Sequence, residues 1–328
     1  MADRIPVTVL TGFLGAGKTT LLNRILSEPH GRKYAVIINE FGEVGIDNDI
    51  VAQKVEGFDE EIFEMNNGCI CCTVRGDLIR IIGGLLKRGK NFDGIIVETT
   101  GLADPGPVIQ SFFVDDTLKA RTQLDAVVTL VDAQNVVTRL GDTKEAAEQV
   151  AFADILVLNK ADLVDESTLD SVAARLRGIN AFAPIIVSER SNVKLDKILN
   201  VGAFDLDRVT AREPDFLEHG HHHDHNEDIA SFSFTTAKPI NPMLFDAWIG
   251  ELIQTKGPDL LRYKGILDIQ GDNRRMVLQG VHMMLEGQPG KPWQADEKRE
   301  SRLVFIGRNL DEAALRAGFE ACTTAAVA

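Results

Sequence analysis

The chain has 328 residues, 44% hydrophobic and 26% charged, with 35 Lys and Arg against 49 Asp and Glu for a formal net charge of −14. At about 100–200 residues per domain, this length fits two domains. The ordinary apolar fraction excludes a wholly disordered chain, the four cysteines exclude a disulfide scaffold, and the acidic balance argues against coating nucleic acid or an anionic membrane. Of the seven histidines, His219, His221, His222, His223 and His225 fall together, a clustering that needs an explanation.

Residues 1–4 run straight into the apolar stretch 5–10. There is no basic stretch followed by an apolar region and a small-residue cleavage site, and no apolar run approaches the roughly 20 residues of a membrane helix. The expectation is a cytoplasmic protein.

Short apolar, β-branched runs at 7–10, 35–38, 94–97, 126–131, 155–158 and 185–187 read as strands buried on both faces of a parallel sheet. Helix-like stretches at 18–26, 77–87, 144–151 and 169–177 alternate with them. This alternation predicts a doubly wound, mostly parallel α/β domain over residues 1–204. Residues 205–228, with Pro214, Gly220, charges and the histidine run, read as an exposed linker. Over 229–328 the pattern predicts a smaller α+β domain. It has a strand at 229–235 and a helix at 244–253 entered through Asn241-Pro242. Three strand-like runs follow at 265–270, 275–285 and 302–307, then a short helix capped by Asp311.

Gly12-Phe13-Leu14-Gly15-Ala16-Gly17-Lys18-Thr19 matches G-x-x-x-x-G-K-[ST], directly after a predicted strand and before a predicted helix. Glycines let the backbone curl until its N–H groups point at phosphates, and the helix N-terminus adds partial positive charge. Lys18 can reach the β- and γ-phosphates, and the Thr19 hydroxyl can hold Mg²⁺. The expected nucleotide contacts are Gly12, Gly15, Ala16, Gly17, Lys18, Thr19 and Thr20.

Asn159-Lys160-Ala161-Asp162 follows a strand in the same domain. The Asp162 carboxylate can accept from both N1–H and the exocyclic amine of guanine, a pairing adenine does not offer, so GTP is expected ahead of ATP. Glu98-Thr99-Thr100-Gly101 closes a third strand and stands where GTPases carry D-x-x-G. Glu98 is placed to contact Mg²⁺, directly or through water, and the Gly101 N–H to face the γ-phosphate. Lys18, Thr19, Glu98 and Gly101 are therefore the candidate catalytic groups. Leu102 stands where Ras-like proteins place the glutamine that orients the attacking water, which predicts slow intrinsic hydrolysis. The acidic segment 39–47 follows the second strand, the place of a first switch, and its Glu40 and Glu43 are candidate metal contacts.

Cys69, Cys71 and Cys72 form a thiolate cluster between that segment and Glu98. Thiolates favour Zn²⁺, Co²⁺ or Cu⁺, and three local sulfurs leave a fourth position to a carboxylate, water or partner, which suits a metal that is handed on. The alternatives are a buried structural cluster and a redox pair. A bridge between the adjacent Cys71 and Cys72 would be strained.

These residues resemble the CobW-type metallochaperone GTPases, a branch of the phosphate-loop GTPases. The likeness rests on T-G-F-L-G-A-G-K-T-T at 11–20, N-E-F-G-E at 39–43, N-G-C-I-C-C at 67–72, E-T-T-G-L-A-D-P at 98–105 and N-K-A-D at 159–162. In the second domain L-L-R-Y-K-G at 260–265 and Q-G-V at 279–281 are similar to the family's C-terminal domain, and the overall likeness is to the YjiA-like bacterial branch. The resemblance implies GTP hydrolysis coupled to binding and delivery of a metal, often Zn²⁺, sometimes Co²⁺, with Cys69, Cys71 and Cys72 as the metal site. It also implies a client metalloprotein as partner, while the acidic balance and the lack of a long apolar run lead us to expect no nucleic acid and no membrane as partners. A nucleotide- or metal-dependent homo-oligomer stays open. The histidines read as an accessory segment that collects or buffers metal. The competing reading is a metal-buffering protein whose GTP site only regulates capacity.

Overall fold

The computed structural model describes residues 4–38, 61–64, 72–87, 92–204 and 229–323, the segments 61–64 and 72–75 by backbone course alone. The expected linker 205–228 lies outside them. The chain forms two compact units, Met1–Ala174 with Ala183–Phe204, and Arg175–Phe182 with Asp205–Ala328.

In the first unit β1 (Ile5–Gly12) leads into α1 (Lys18–Ser27), followed by β2 (Tyr34–Ile38), β3 (Glu61–Glu64), α2 (Cys72–Lys87) and β4 (Gly94–Glu98). Next come α3 (Gly106–Val114), α4 (Asp116–Arg121), β5 (Thr122–Asp132), α5 (Val136–Asp142), α6 (Lys144–Phe152) and β6 (Ile155–Asn159). A 3₁₀ turn (Ala161–Leu163), α7 (Glu166–Ile179), whose residues from Arg175 onward are grouped with the second unit, and β7 (Ile185–Val187) complete the series. The strands lie in the order β3-β2-β4-β1-β5-β6-β7, and each described pairing is parallel. This is the doubly wound sheet the alternation predicts.

β2, β4 and β6 are buried along their whole length, which is why they read as unbroken apolar runs. Winding runs outward from β1 through β2 and β3 on one side and through β5, β6 and β7 on the other. In such sheets ligands bind at the carboxyl ends of the strands where winding reverses, here the end of β1. Leu21, Leu22 and Ile25 of α1 pack into one core with Leu10, Val36, Ile96, Val128 and Val157 of the sheet. That core holds the start of α1 at the end of β1.

Edge strand β3 and helices α3, α4 and α5 do not show in the hydrophobic periodicity. The sequence of α3, GPVIQSFFV, is apolar almost throughout and carries no helical stripe. Its helix is set by Pro107 in the first turn. The Asp115 side chain caps α4 by accepting from the Leu118 N–H at 2.9 Å.

The second unit adds β8 (Ile229–Thr236), α8 (Pro242–Lys256), β9 (Leu260–Asp268), β10 (Arg274–Val281), β11 (Met284–Pro292), β12 (Ser301–Arg308) and α9 (Glu312–Ala321). Its sheet is antiparallel, in the order β11-β10-β9-β12-β8. Asn241 caps α8 through the N–H groups of Met243 and Leu244, and Asp311 caps α9 through that of Ala314, as expected. Phe245, Ile249, Leu315 and Phe319 of the helices pack with Phe234, Tyr263, Leu303 and Phe305 of the sheet. One expectation is corrected. Residues 275–285 are not a single strand but a hairpin, with Val281 paired to Met284 and His282 in the left-handed region at φ 52°. No Gly, Asn or Asp marks the bend, so the sequence conceals it. β9 also starts five residues before the expected run at 265–270.

Candidate functional site

The loop between β1 and α1 is shaped by glycines that no other residue could replace without strain. Gly12 has φ 138°, and a Cβ there would lie 2.3 Å from the Leu130 carbonyl oxygen of β5. Gly17, the last residue before α1, has φ 108°, and a Cβ would lie 2.5 Å from Asn159 Nδ2. The side chain of Lys18 is buried in the curl and donates to the carbonyls of Gly12 (2.8 Å) and Phe13 (3.3 Å). Ala16 is buried, Gly15 and Thr20 are exposed, and Thr19 is half-buried at the start of α1.

Thr19 Oγ1 donates to Glu98 Oε1 at 3.4 Å. A hydroxyl and a carboxylate meeting at the mouth of a phosphate loop are hard oxygen donors of the kind Mg²⁺ takes, so these residues fit that ion. Thr99 fixes the end of β4 against β1. Its N–H donates to the Leu10 carbonyl at 2.9 Å and its hydroxyl to Thr11 Oγ1 at 2.7 Å. Gly101 is buried against the loop, with a Cβ position 2.6 Å from Leu14 N. Leu102 is 52% exposed and has no group that could orient water.

At the base end, Asn159 is buried and acts as a bracket. Its Nδ2 donates to the Ala16 carbonyl at 2.9 Å and to Ser191 Oγ at 3.1 Å, and its Oδ1 accepts from the Ser191 N–H at 2.7 Å. Ser191 Oγ in turn donates to the Gly17 carbonyl at 3.1 Å, and Arg24 of α1 donates to the Ser191 carbonyl at 2.7 Å. The phosphate loop and the Asn159–Asp162 turn are thus one hydrogen-bonded frame. Lys160 takes the left-handed conformation at φ 61°, with Nζ 2.7 Å from Asp132 Oδ2 at the end of β5. Burial pushes the Asp132 carboxyl up, but hydrogen bonds from Lys160 and Asn135 and the Lys160 charge outweigh it and hold the carboxyl below its ordinary value. Asp162 is exposed in the 3₁₀ turn, its carboxylate open to a ligand.

The structure therefore brings Gly12 through Thr20, Glu98, Gly101 and Asn159 through Asp162 to the carboxyl edge of one sheet. Ser191, Arg24 and Asp132 belong to the same frame, yet no short motif flags them, and Thr11, which opens the 11–20 motif, joins it through Thr99. The polar turn after β7 is the one sequence signal that points toward Ser191. Of the expected metal ligands, Cys72 is the first residue of α2. Cys69, Cys71, Glu40, Glu43, His219, His221, His222, His223 and His225 lie outside the described residues. Among the described residues, no group of three or more His, Cys, Asp or Glu could hold a metal ion, and no helix is long and apolar enough to cross a membrane.

A parallel sheet with a phosphate loop at its centre, joined to an N-K-x-D turn, defines a phosphate-loop nucleotide-binding protein of the GTPase type. The particular family follows from comparison with known sequences. Residues 6–187 match the family described as CobW/HypB/UreG, nucleotide-binding domain, and residues 229–323 match the cobalamin synthesis protein cobW C-terminal domain. The chain belongs to the CobW family.

Among its relatives, the zinc chaperone YjiA of Escherichia coli is 38% identical over 320 residues, covering 96% of this chain and 98% of YjiA. The zinc chaperone CobW of Pseudomonas aeruginosa is 37% identical, covering 95% of this chain and 90% of that protein. The crystal structure of Zn(II)-bound YjiA GTPase from E. coli superposes with a TM-score of 0.79 at 33% identity, covering 98% of this chain and 100% of that one.

Proposed function

We propose that this protein is a slowly hydrolysing GTPase that binds a transition metal, Zn²⁺ first, at Cys69, Cys71 and Cys72 and delivers it to a client protein according to its nucleotide state. The observation that carries the reading is the frame in which Asn159 brackets both the phosphate loop and the Ser191 turn. It sets a guanine-selective turn and a phosphate cradle at a fixed separation. The zinc chaperone names of the relatives and the Zn(II)-bound YjiA structure support zinc as the metal.

In this reading the Lys18 ammonium moves from the Gly12 and Phe13 carbonyls to the β- and γ-phosphates and neutralises their charge. Thr19 and Glu98 hold Mg²⁺, which when bound supplies charge neutralisation at the transferring phosphoryl group. Asp162 selects guanine. Leu102 contributes nothing to the attacking water, so turnover without a partner or transition metal stays below about 1 s⁻¹, the low end of the ordinary enzyme range. Cys72 opens α2. In chain order the thiolates stand at or before the start of α2 and ahead of the strand that ends in Glu98. Glu40 and Glu43 are candidate further ligands, and the histidine segment collects metal for the thiolate site. Function in the cytoplasm and nucleotide- or metal-dependent self-association belong to the same proposal.

The test measures nucleotide selectivity, turnover and metal stoichiometry on purified protein. GTP binding in preference to ATP, turnover below about 1 s⁻¹ and loss of tight zinc when the three cysteines are replaced by alanine support the reading. ATP binding equal to GTP, or zinc retained without the cysteines, contradicts it. Deleting residues 218–225 lowers total but not tight metal stoichiometry if the histidines are accessory.

A further inference from the structure

One buried side chain holds the turn after β4, and no motif assigns it a role. Gln149 of α6 is 1% exposed. Its Nε2 donates to the carbonyls of Gly101 (3.2 Å) and Ala103 (3.1 Å), so both amide hydrogens go to one turn. The Gln149 backbone is itself tied to the sheet, because its carbonyl accepts from Thr129 Oγ1 of β5 at 2.9 Å. Gly101 also lies close against the Leu14 backbone of the phosphate loop.

The orientation of the Gly101 N–H follows from these contacts. That N–H shares a peptide plane with the Thr100 carbonyl, which accepts from the Ala103 N–H at 3.2 Å. In a trans peptide the two groups point in opposite directions. The Thr100 carbonyl is turned inward toward Ala103, so the Gly101 N–H faces away from the turn. Gln149 holds the Gly101 and Ala103 carbonyls of the turn, leaving that plane little freedom to rotate.

We propose that Gln149 is a positioning residue for the triphosphate. It fixes the turn from Thr100 to Ala103 so that the Gly101 N–H meets the γ-phosphate, and so separates GTP from GDP. The role rests on the reading of the site as a GTP site and deepens it. A diphosphate has no group at the γ position and is indifferent to the turn. Loss of Gln149 should therefore act on GTP alone.

The experiment compares wild type, Gln149→Met and Gln149→Glu. It measures the affinity of fluorescent GDP and of a fluorescent non-hydrolysable GTP analogue, with kcat, KM and Tm. Met keeps the length and loses the donor. Glu sets a carboxylate against two carbonyl oxygens. In both variants the GTP-analogue affinity should fall about tenfold, the scale of two lost neutral hydrogen bonds, with a larger fall for Glu. GDP affinity should stay within about twofold, because the diphosphate makes no contact with the turn. A merely structural role would lower Tm and weaken both nucleotides together. Equal loss for both, or no loss for either, overturns the proposal.

Should Gln149→Met fail to fold, Thr129→Val loosens the same residue through its backbone. It should give a smaller loss in the same direction, and equal or absent effects there overturn the proposal in the same way. Wild type that binds neither nucleotide overturns the GTP reading itself, and this role with it. Wild type that prefers GTP normally, beside variants with an unchanged GTP-to-GDP ratio, overturns the Gln149 role alone.

Discussion

Replacing Asn159 with alanine tests whether the phosphate loop and the base turn are one frame. Asn159 is 2% exposed and makes three hydrogen bonds, to the Ala16 carbonyl, the Ser191 N–H and Ser191 Oγ. Ala16 and Ser191 are both fully buried, so truncation leaves a backbone donor and acceptor in a site closed to water. Each such group costs about 1–3 kcal/mol, so Asn159→Ala should lose about 2–6 kcal/mol. That is a large share of the roughly 5–15 kcal/mol that holds a domain together.

Urea unfolding without nucleotide reads the stability, and titration with GDP reads the frame. GDP affinity should fall more than about tenfold, because the phosphate and base contacts no longer hold a fixed separation. Ser191→Ala is the graded control. It removes only the hydroxyl bonds to Asn159 and the Gly17 carbonyl and should cost about 1–2 kcal/mol. A loss under about 1 kcal/mol for Asn159→Ala, with GDP binding unchanged, would refute the idea of a single frame.

Gly17→Ala forces a Cβ to within 2.5 Å of Asn159 Nδ2 at a φ of 108°. It should cost about 1–3 kcal/mol in unfolding experiments and abolish measurable nucleotide binding, and wild-type GDP affinity would contradict it. Asp132 is held below its ordinary 3.8, so its ionised form stabilises the fold above that value and the contribution fades as pH falls through the lower folded value. Asp132→Asn should thus be less stable than wild type at pH 7, with the gap closing below about pH 4, and a gap independent of pH would contradict it. In the second unit, Asn241→Ala leaves the N–H groups of Met243 and Leu244 uncapped. It should lower stability by about 1 kcal/mol, and an unchanged urea midpoint would refute the cap.

The parallel sheet was legible because strands buried on both faces leave unbroken apolar runs, as β2, β4 and β6 do. The phosphate loop was legible because close approach to Leu130 and Asn159 admits glycine alone at Gly12 and Gly17. Helix α3 was hidden by its own burial, since a helix apolar almost throughout shows no stripe. The hairpin at His282 was hidden because its left-handed residue is not one of the usual turn formers. For another reason Ser191 was marked only by the polar turn after β7 and Gln149 was beyond sequence reasoning. Their partners at Asn159 and Gly101 stand 32 and 48 positions away, and only the fold brings them together. The cysteine, acidic and histidine segments were conspicuous by composition, and Cys72 at the head of α2 is the one expected ligand within the described residues.

In the proposed function nucleotide and metal regulate one another, and such coupling must be reciprocal. Its most direct test is zinc affinity measured by competition with a chelator, once with a non-hydrolysable GTP analogue and once with GDP. The same measurement is made on protein with Cys69, Cys71 and Cys72 replaced by alanine. Zinc affinity should differ at least about fivefold between the two nucleotides, the lower end of typical allosteric coupling, and the difference should vanish without the cysteines. Zinc affinity identical in both nucleotide states would contradict it and leave a metal buffer in place of a delivery switch.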